Sequence, residues 1–424
     1  MKQKILIIPS FLPYPLNTGG NIGVFEMINY FREKYDLSLI VSDFSGKITP
    51  AFIELKALWP DVDIYVFKRT FLQRVSNSLF YKLQKLFYKF FKKRYFQNTI
   101  WYQDESNLVE NAFNYTEHFS DRTFVNYVND IIKSKTFDLI QVEFYGNISL
   151  PVFLKSNCPI IFIHHELRFV RKEREFVIIA PDDKYLKAML AQMKAYEIEM
   201  LKNYDKVVLL SEVDKIILSP YLPEHLLYVS PLGIKKKTQN VANENYSFNN
   251  TLSFLGGGVH YPNRDGLIWF IENGVPLLKD KLPAIKLQII GQWDSDFRAK
   301  YESDDIKFPG FVENLDEALV NSIMIVPVRI GSGIRMKIIE AVNLGIPFVT
   351  TSVGVEGLDF RDKTDCFIAD DICQFVESII DLISNVELQT SFIKNAQAQS
   401  KELFSFEIAM RKRQELYNSI LSDK

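Results

Sequence analysis

The sequence predicts an α/β protein built from two doubly wound, Rossmann-like domains, and three observations carry that expectation. Short β-branched runs alternate with helical apolar patterns along the whole chain, which is how parallel strand–helix units read. One stretch, Ile234–Asn250, is polar and nearly free of aliphatic residues, the composition of a linker. The length of 424 residues exceeds one ordinary domain.

Taken in order, Ile5–Ile8, Leu37–Val41, Asp63–Phe67, Leu139–Glu143, Ile160–His164 and Lys206–Leu210 read as strands of a first sheet. Leu252–Leu255, Lys286–Ile290, Ile323–Val328 and Phe348–Thr350 read as strands of a second. The expected domains are 1–233 and 251–405, joined by the linker 234–250. A closing helix over 406–424, with its pattern in Phe406–Leu421, can pack back on the first domain. In open parallel sheets ligands bind beyond the carboxyl ends of the strands, so the loops after strands are read most closely.

Composition narrows the class. Hydrophobic residues make up 47% and charged residues 24%, which suits a globular chain with large cores. A net charge of −2 argues against a nucleic-acid partner. Cys158, Cys366 and Cys373 have neither metal-ligand nor disulfide-framework spacing and read as reduced thiols. The opening apolar run ends at Pro9, too short for a signal-peptide core, and no run of about 18 uncharged apolar residues occurs. A cytoplasmic protein is expected, on or off a membrane surface.

The surface reading comes from Val66–Phe96, which contains no acidic residue. At about 100° per residue, Lys82, Lys85, Lys89, Lys92 and Lys93 share one arc and Leu79, Leu83, Leu86, Phe87 and Phe90 the next. A basic, aromatic-rich amphipathic helix of this kind is drawn to an anionic membrane.

Several loops could carry chemistry. The first strand runs into a Pro-rich loop with Gly19 and Gly20 just before a helix, where backbone N–H groups can approach a phosphate. His164 and His165 stand at a strand end, in a chain with five histidines. Adjacent side chains on extended backbone point opposite ways, so at most one of the two faces a ligand. Gly256 and Gly258 fit the start of a dinucleotide fingerprint, but Tyr261 takes the third glycine position and no acid follows at ribose spacing, which disfavours a nicotinamide enzyme.

The stretch RIGSGIRMKIIEAVNLGIPFVTT, Arg329–Thr351, raises the sharpest question. Arg335 and Lys337 fall at the start of a helix, where the macrodipole is already positive. An anion bound there resolves the repulsion. The amides of Gly331, Ser332 and Gly333 can form an anion-binding concavity, and two cations suit a diphosphate. Glu340, one turn on, can accept hydrogen bonds from a vicinal diol such as ribose.

This segment resembles the donor-site motif of GT-B fold glycosyltransferases of family 4, the "glycosyl transferases group 1" type. The likeness extends to the Gly19-Gly20 loop, the strand-end histidine, Pro231–Gly233 and the second domain through Leu358. It implies a retaining, metal-independent transferase with no cofactor beyond its co-substrate, a UDP- or GDP-sugar. The acceptor would be a glycan or lipid-linked molecule in cell-surface polysaccharide or glycolipid assembly. The family's Glu-x7-Glu motif places its second glutamate at Glu340 and its first at Ser332, a departure. Gly257 stands near the family's arginine and Arg264 near its lysine. The histidine meeting the transferred sugar corresponds to His164, with His165 as the alternative. Asp294–Asp296 resembles the metal-binding carboxylate pair of a different glycosyltransferase fold, yet reads better as a solvated loop. A sugar-nucleotide epimerase or hydrolase, and a non-catalytic sugar-nucleotide-binding protein, remain compatible with the sequence.

Overall fold

The computed structural model describes residues 2–16, 19–43, 49–68, 120–233 and 246–422. Most of the basic segment 66–96 and most of the linker therefore lie outside the described residues. Residues 66–68 end a strand. Among the linker's last residues, Tyr246 is buried and donates to the Ser322 carbonyl at 2.9 Å, and the Asn249 N–H donates to the Asn321 carbonyl at 2.9 Å.

The first sheet holds β1 (Lys4–Ile8), β2 (Asp36–Asp43), β3 (Asp63–Lys68), β4 (Leu139–Glu143), β5 (Ile160–His164), β6 (Lys206–Leu209) and β7 (Leu227–Val229). Their order is β3-β2-β1-β4-β5-β6-β7. Ile5 pairs in parallel with Leu37 on one side and Leu139 on the other. Every residue of β4 and β5 is buried, because helices cover both faces of a central parallel strand.

The second sheet holds β8 (Thr251–Leu255), β9 (Lys286–Ile290), β10 (Ile306–Gly310), β11 (Ile323–Val326), β12 (Phe348–Thr350) and β13 (Phe367–Ile368). Its order is β10-β9-β8-β11-β12-β13, with parallel pairs throughout. Phe254, Phe270, Phe375 and Phe392 anchor its core. In both sheets the order reverses beside the first strand. At such a reversal the connections leave in opposite directions and open a crevice beyond the carboxyl ends. For the second sheet that point lies beyond β8 and β11.

The sequence did not reveal β7, β10 or β13, and all are edge strands. An edge strand needs no continuous apolar run: β10, read IKFPG, alternates buried and exposed residues and tolerates Pro309. The strand expected over 323–328 stops at Val326, since Pro327 has no N–H for the ladder.

By compactness the chain divides into Met1–His164 with Asp183–Val207, and His165–Asp182 with Val208–Lys424. The closing helix spans Phe406–Ser422 and packs on β7, where the Tyr228 hydroxyl donates to the Lys412 carbonyl at 3.0 Å. No described helix is long and apolar enough to cross a membrane. Cys158, Cys366 and Cys373 are free thiols.

Candidate active site

The site is built where the second sheet reverses. After β11 the chain passes Pro327 and enters the loop Gly331–Gly333. Arg335 is the N-cap of the helix Met336–Asn343, one position earlier than a place in the first turn, and its side chain does not cap that helix. It turns back instead. Its Nη1 donates to the carbonyls of Ser332 and Gly333, each at 2.6 Å. The Gly331 carbonyl accepts from Arg174 Nη1, whose guanidinium also grips Glu356 with bonds of 2.9 and 2.6 Å. All three carbonyls of the loop are thus held by guanidinium groups. Among the described residues, the amides of Gly331, Ser332 and Gly333 donate no hydrogen bond. The planes pinned by these carbonyls carry the N–H groups of Ser332, Gly333 and Ile334 on their opposite edges, an arrangement that can form an anion-binding nest.

Gly333 is at φ 72°, and a Cβ there would strike the His165 carbonyl. Only glycine admits both that conformation and that approach.

Lys337 reaches from the first turn of the same helix to the end of β8. Its Nζ donates to Asn263 Oδ1 at 2.8 Å and lies 4.3 Å from the Phe254 ring centre. A Cβ on Gly256, at φ 151°, would come within 3.0 Å of that ammonium. Burial, and then the charge of Arg335, push the Lys337 pKa down to about 7. A bound anion would restore its charged form.

A third element closes the cluster. Glu166 accepts from Arg171 at 2.8 Å, pairs with Arg168 at 3.2 Å, and lies 4.0 Å from His260 Nε2. Burial pushes the Glu166 carboxyl up, but Arg168, Arg171 and His260 together hold it at about 2. His260 keeps half of its side chain exposed, and its pKa is pushed down, first by lost hydration of the rest and then by Arg171, Lys337 and Arg335, against the pull of Glu166.

The helices Arg168–Ile179, Tyr261–Trp269 and Met336–Asn343 begin around this cluster, with Leu167, His260 and Arg335 at their N-caps. None has a side-chain cap, and none carries an acid in its first turn. Their positive dipole ends meet Arg168, Arg171, Arg335 and Lys337. That arrangement calls for an anion.

The structure distributes the expected residues unevenly. Gly331, Ser332, Gly333, Arg335 and Lys337 come together. Glu340 lies further along the same helix, half-buried. Ser332 is buried, and its hydroxyl is used inside the protein rather than turned outward. Gly19 and Gly20 open the helix Gly19–Phe31 at the reversal of the first sheet, with Gly20 beside Phe11 and Phe144.

His164 is buried in the first compact unit, its Nε2 lying 2.8 Å from Glu197 Oε1 on the helix Lys184–Leu201. His165 is half-buried and meets the glycine loop through its carbonyl. Arg264 is not at the cluster: it pairs with Asp294 at 2.6 Å over the Phe297 ring. Asp294 in turn caps the helix Ser295–Tyr301. Among the described residues, no group of three His, Cys, Asp or Glu is placed to hold a metal ion.

Sequence reading missed Glu166, Arg171, His260 and Asn263. A signal was present, since Arg168 and Arg171 repeat the Arg335 and Lys337 anomaly of bases at a positive helix end.

The fold defines the class first. Two parallel-strand sheets with flanking helices are the GT-B architecture, and residues 249–385, which hold most of the cluster, match the family model described as Glycosyl transferases group 1. The particular likenesses follow. An "Uncharacterized 44.6 kDa protein in cps region" of Klebsiella pneumoniae is 23% identical over 95% of this chain and 98% of its own length. The crystal structure of TarM aligns with a TM-score of 0.67 at 14% identity, covering 98% of this chain and 99% of its own. Sucrose-phosphate synthase from Thermosynechococcus elongatus aligns at 0.69 and 15% identity over the full length of both chains. Anabaena HepE in complex with UDP aligns at 0.65 and 14%, covering 98% of this chain and all of its own.

Proposed function

We propose that the protein is a retaining, metal-independent glycosyltransferase that moves a sugar from a UDP- or GDP-sugar to a glycan or lipid-linked acceptor. The observation that carries this reading is the Gly331–Gly333 loop, whose carbonyls are all tied to guanidinium groups beside Lys337 and three uncapped helix starts. In transfer, the bond from the anomeric carbon to the diphosphate oxygen breaks. The acceptor oxygen forms the new bond, and its proton leaves with the diphosphate. Negative charge grows on the leaving group, and the fixed loop amides and the Lys337 ammonium stabilise it without reorganising. Glu340 accepts from the ribose hydroxyls, and His165 meets the transferred sugar.

Similar proteins support the chemistry. TarM was solved with alpha-GlcNAc-glycerol and UDP, HepE with UDP-glucose, and the Klebsiella relative lies in a cps region. In this reading the acceptor binds the carboxyl edge of the first sheet. Val66–Phe96 holds the protein on the cytoplasmic face of an anionic membrane, and the reaction belongs to cell-surface polysaccharide or glycolipid assembly.

Calorimetric titration with UDP, GDP and pyrophosphate tests the donor site. At least one nucleoside diphosphate should bind, and Glu340→Gln should weaken it while sparing pyrophosphate. Wild-type protein that binds none of the three would end this reading. Turnover of a sugar nucleotide without any acceptor would instead favour a hydrolase or epimerase.

A further inference from the structure

Ser332 stands where the resembled family carries a glutamate, and the structure gives the position another task. The residue is 4% exposed. Its hydroxyl accepts from the Leu167 N–H at 3.0 Å and donates to Asp214 Oδ1 at 3.3 Å. The other Asp214 oxygen accepts from the Ser211 hydroxyl at 2.8 Å, and the Asp214 N–H donates back to Ser211 Oγ at 3.1 Å. Asp214 is itself 2% exposed, in the first turn of the helix Glu212–Leu218. A hydroxyl has one proton, and here Asp214 takes it. Ser332 therefore has no side-chain donor left for a ligand. What it does instead is join three distant segments: the start of the helix Arg168–Ile179, the start of the helix Glu212–Leu218, and the glycine loop. Burial lowers the pKa of Arg335, the residue that grips two of the loop's carbonyls, while Glu166, Glu356 and, least, Asp214 favour its charged form.

We infer that Ser332 and Asp214 form one positioning unit that fixes the Gly331–Gly333 loop for the donor diphosphate, with the carboxylate carried at 214 rather than at 332. This rests on the donor-site reading above. It has a consequence opposite to simple repair. A glutamate at 332 would set a second carboxylate against Asp214 in a buried place, and like charges there repel. Relocating the carboxylate, by joining Ser332→Glu with Asp214→Ser, removes that repulsion.

The test compares wild type, Ser332→Ala, Ser332→Glu and the double variant by UDP calorimetry and by amide exchange of residues 330–336 without nucleotide. Ser332→Ala should weaken UDP binding about fivefold to tenfold, the scale of one lost hydrogen bond, and should speed loop exchange. Ser332→Glu should weaken it about a hundredfold, through the buried like-charge pair. Because the two positions are in contact, their effects should not add, and the double variant should return to within about threefold of wild type. Ser332→Glu with Asp214→Asn serves the same comparison if the first double variant fails to fold. Ser332→Glu binding as tightly as wild type, or a double variant no better than Ser332→Glu, overturns the proposal. Should wild type bind GDP and not UDP, the comparison is made with GDP; should it bind neither nucleotide nor pyrophosphate, the donor reading falls. Slower loop exchange in the double variant than in Ser332→Glu would then still support the positioning unit, and equal exchange would overturn it.

Discussion

Asp294 and Arg335 occupy equivalent places, each heading a helix that follows a strand of the second sheet, and they do opposite things. Asp294 accepts the Phe297 N–H at 2.9 Å and pairs with Arg264 at 2.6 Å, so its helix start is closed by protein. The Phe297 amide, and then Arg264, hold its carboxyl below the usual range. Arg335 adds positive charge to a start that no side chain caps. Position in the sheet separates them. β9 lies one strand away from the reversal, whereas β11 borders it. Asp121, Asp183, Ser211, Asp371 and Asn385 likewise close their helices. A chain able to cap these helices has left three adjoining ones open, and the opening is where the anion belongs.

The largest effect expected from this contrast is at Lys337. Lys337→Ala removes a charged hydrogen-bond donor, and nucleoside diphosphate affinity should fall about a hundredfold. Asp294→Ala should leave that affinity unchanged, and a drop there would erase the distinction between open and closed ends.

The two histidines sharpen the picture next. His164→Ala takes away a partner of the buried Glu197 and should destabilise the protein by about 1–3 kcal/mol, read as a lower melting temperature with donor affinity intact. His165→Ala should leave melting alone and lower transfer. The reverse pattern would return the sugar contact to His164. A smaller change belongs to the closed end: Asp294→Ala should lower stability by about 1 kcal/mol, the typical worth of a cap, in chemical denaturation.

The gentlest effect is on pH dependence. With a pKa of about 7 against 10.5 for an ordinary lysine, Lys337 is deprotonated in the folded chain while the unfolded chain still holds its proton. Stability of the nucleotide-free protein should therefore rise with pH across that window. Nucleotide binding should run the other way and weaken above about pH 7, because the diphosphate needs the ammonium. Lys337→Ala should flatten both slopes, and unchanged slopes would place the titrating group elsewhere.

Much of this was legible in the residues. Central strands such as Ile160–His164 and Leu139–Glu143 read at their observed bounds, because burial on both faces leaves only apolar runs. Phe367–Ile368 did not, since two residues at an edge carry no periodic signal. At the site, the charge anomaly at Arg335 and Lys337 pointed to the right loop. That Arg335 would fold back onto carbonyls could not be read, because the partner atoms are backbone and any sequence supplies them. The contribution of Glu166 and His260 is set by pairing across about ninety residues, which no local pattern records.

If one anion is held where three uncapped helix starts meet, amide hydrogen exchange with and without the nucleoside diphosphate that binds, UDP or GDP, tests it most directly. Protection should appear at residues 331–337, and should be absent at 294–298. Protection spread equally over the capped starts, or absent from the glycine loop in nucleotide-saturated protein, would contradict it.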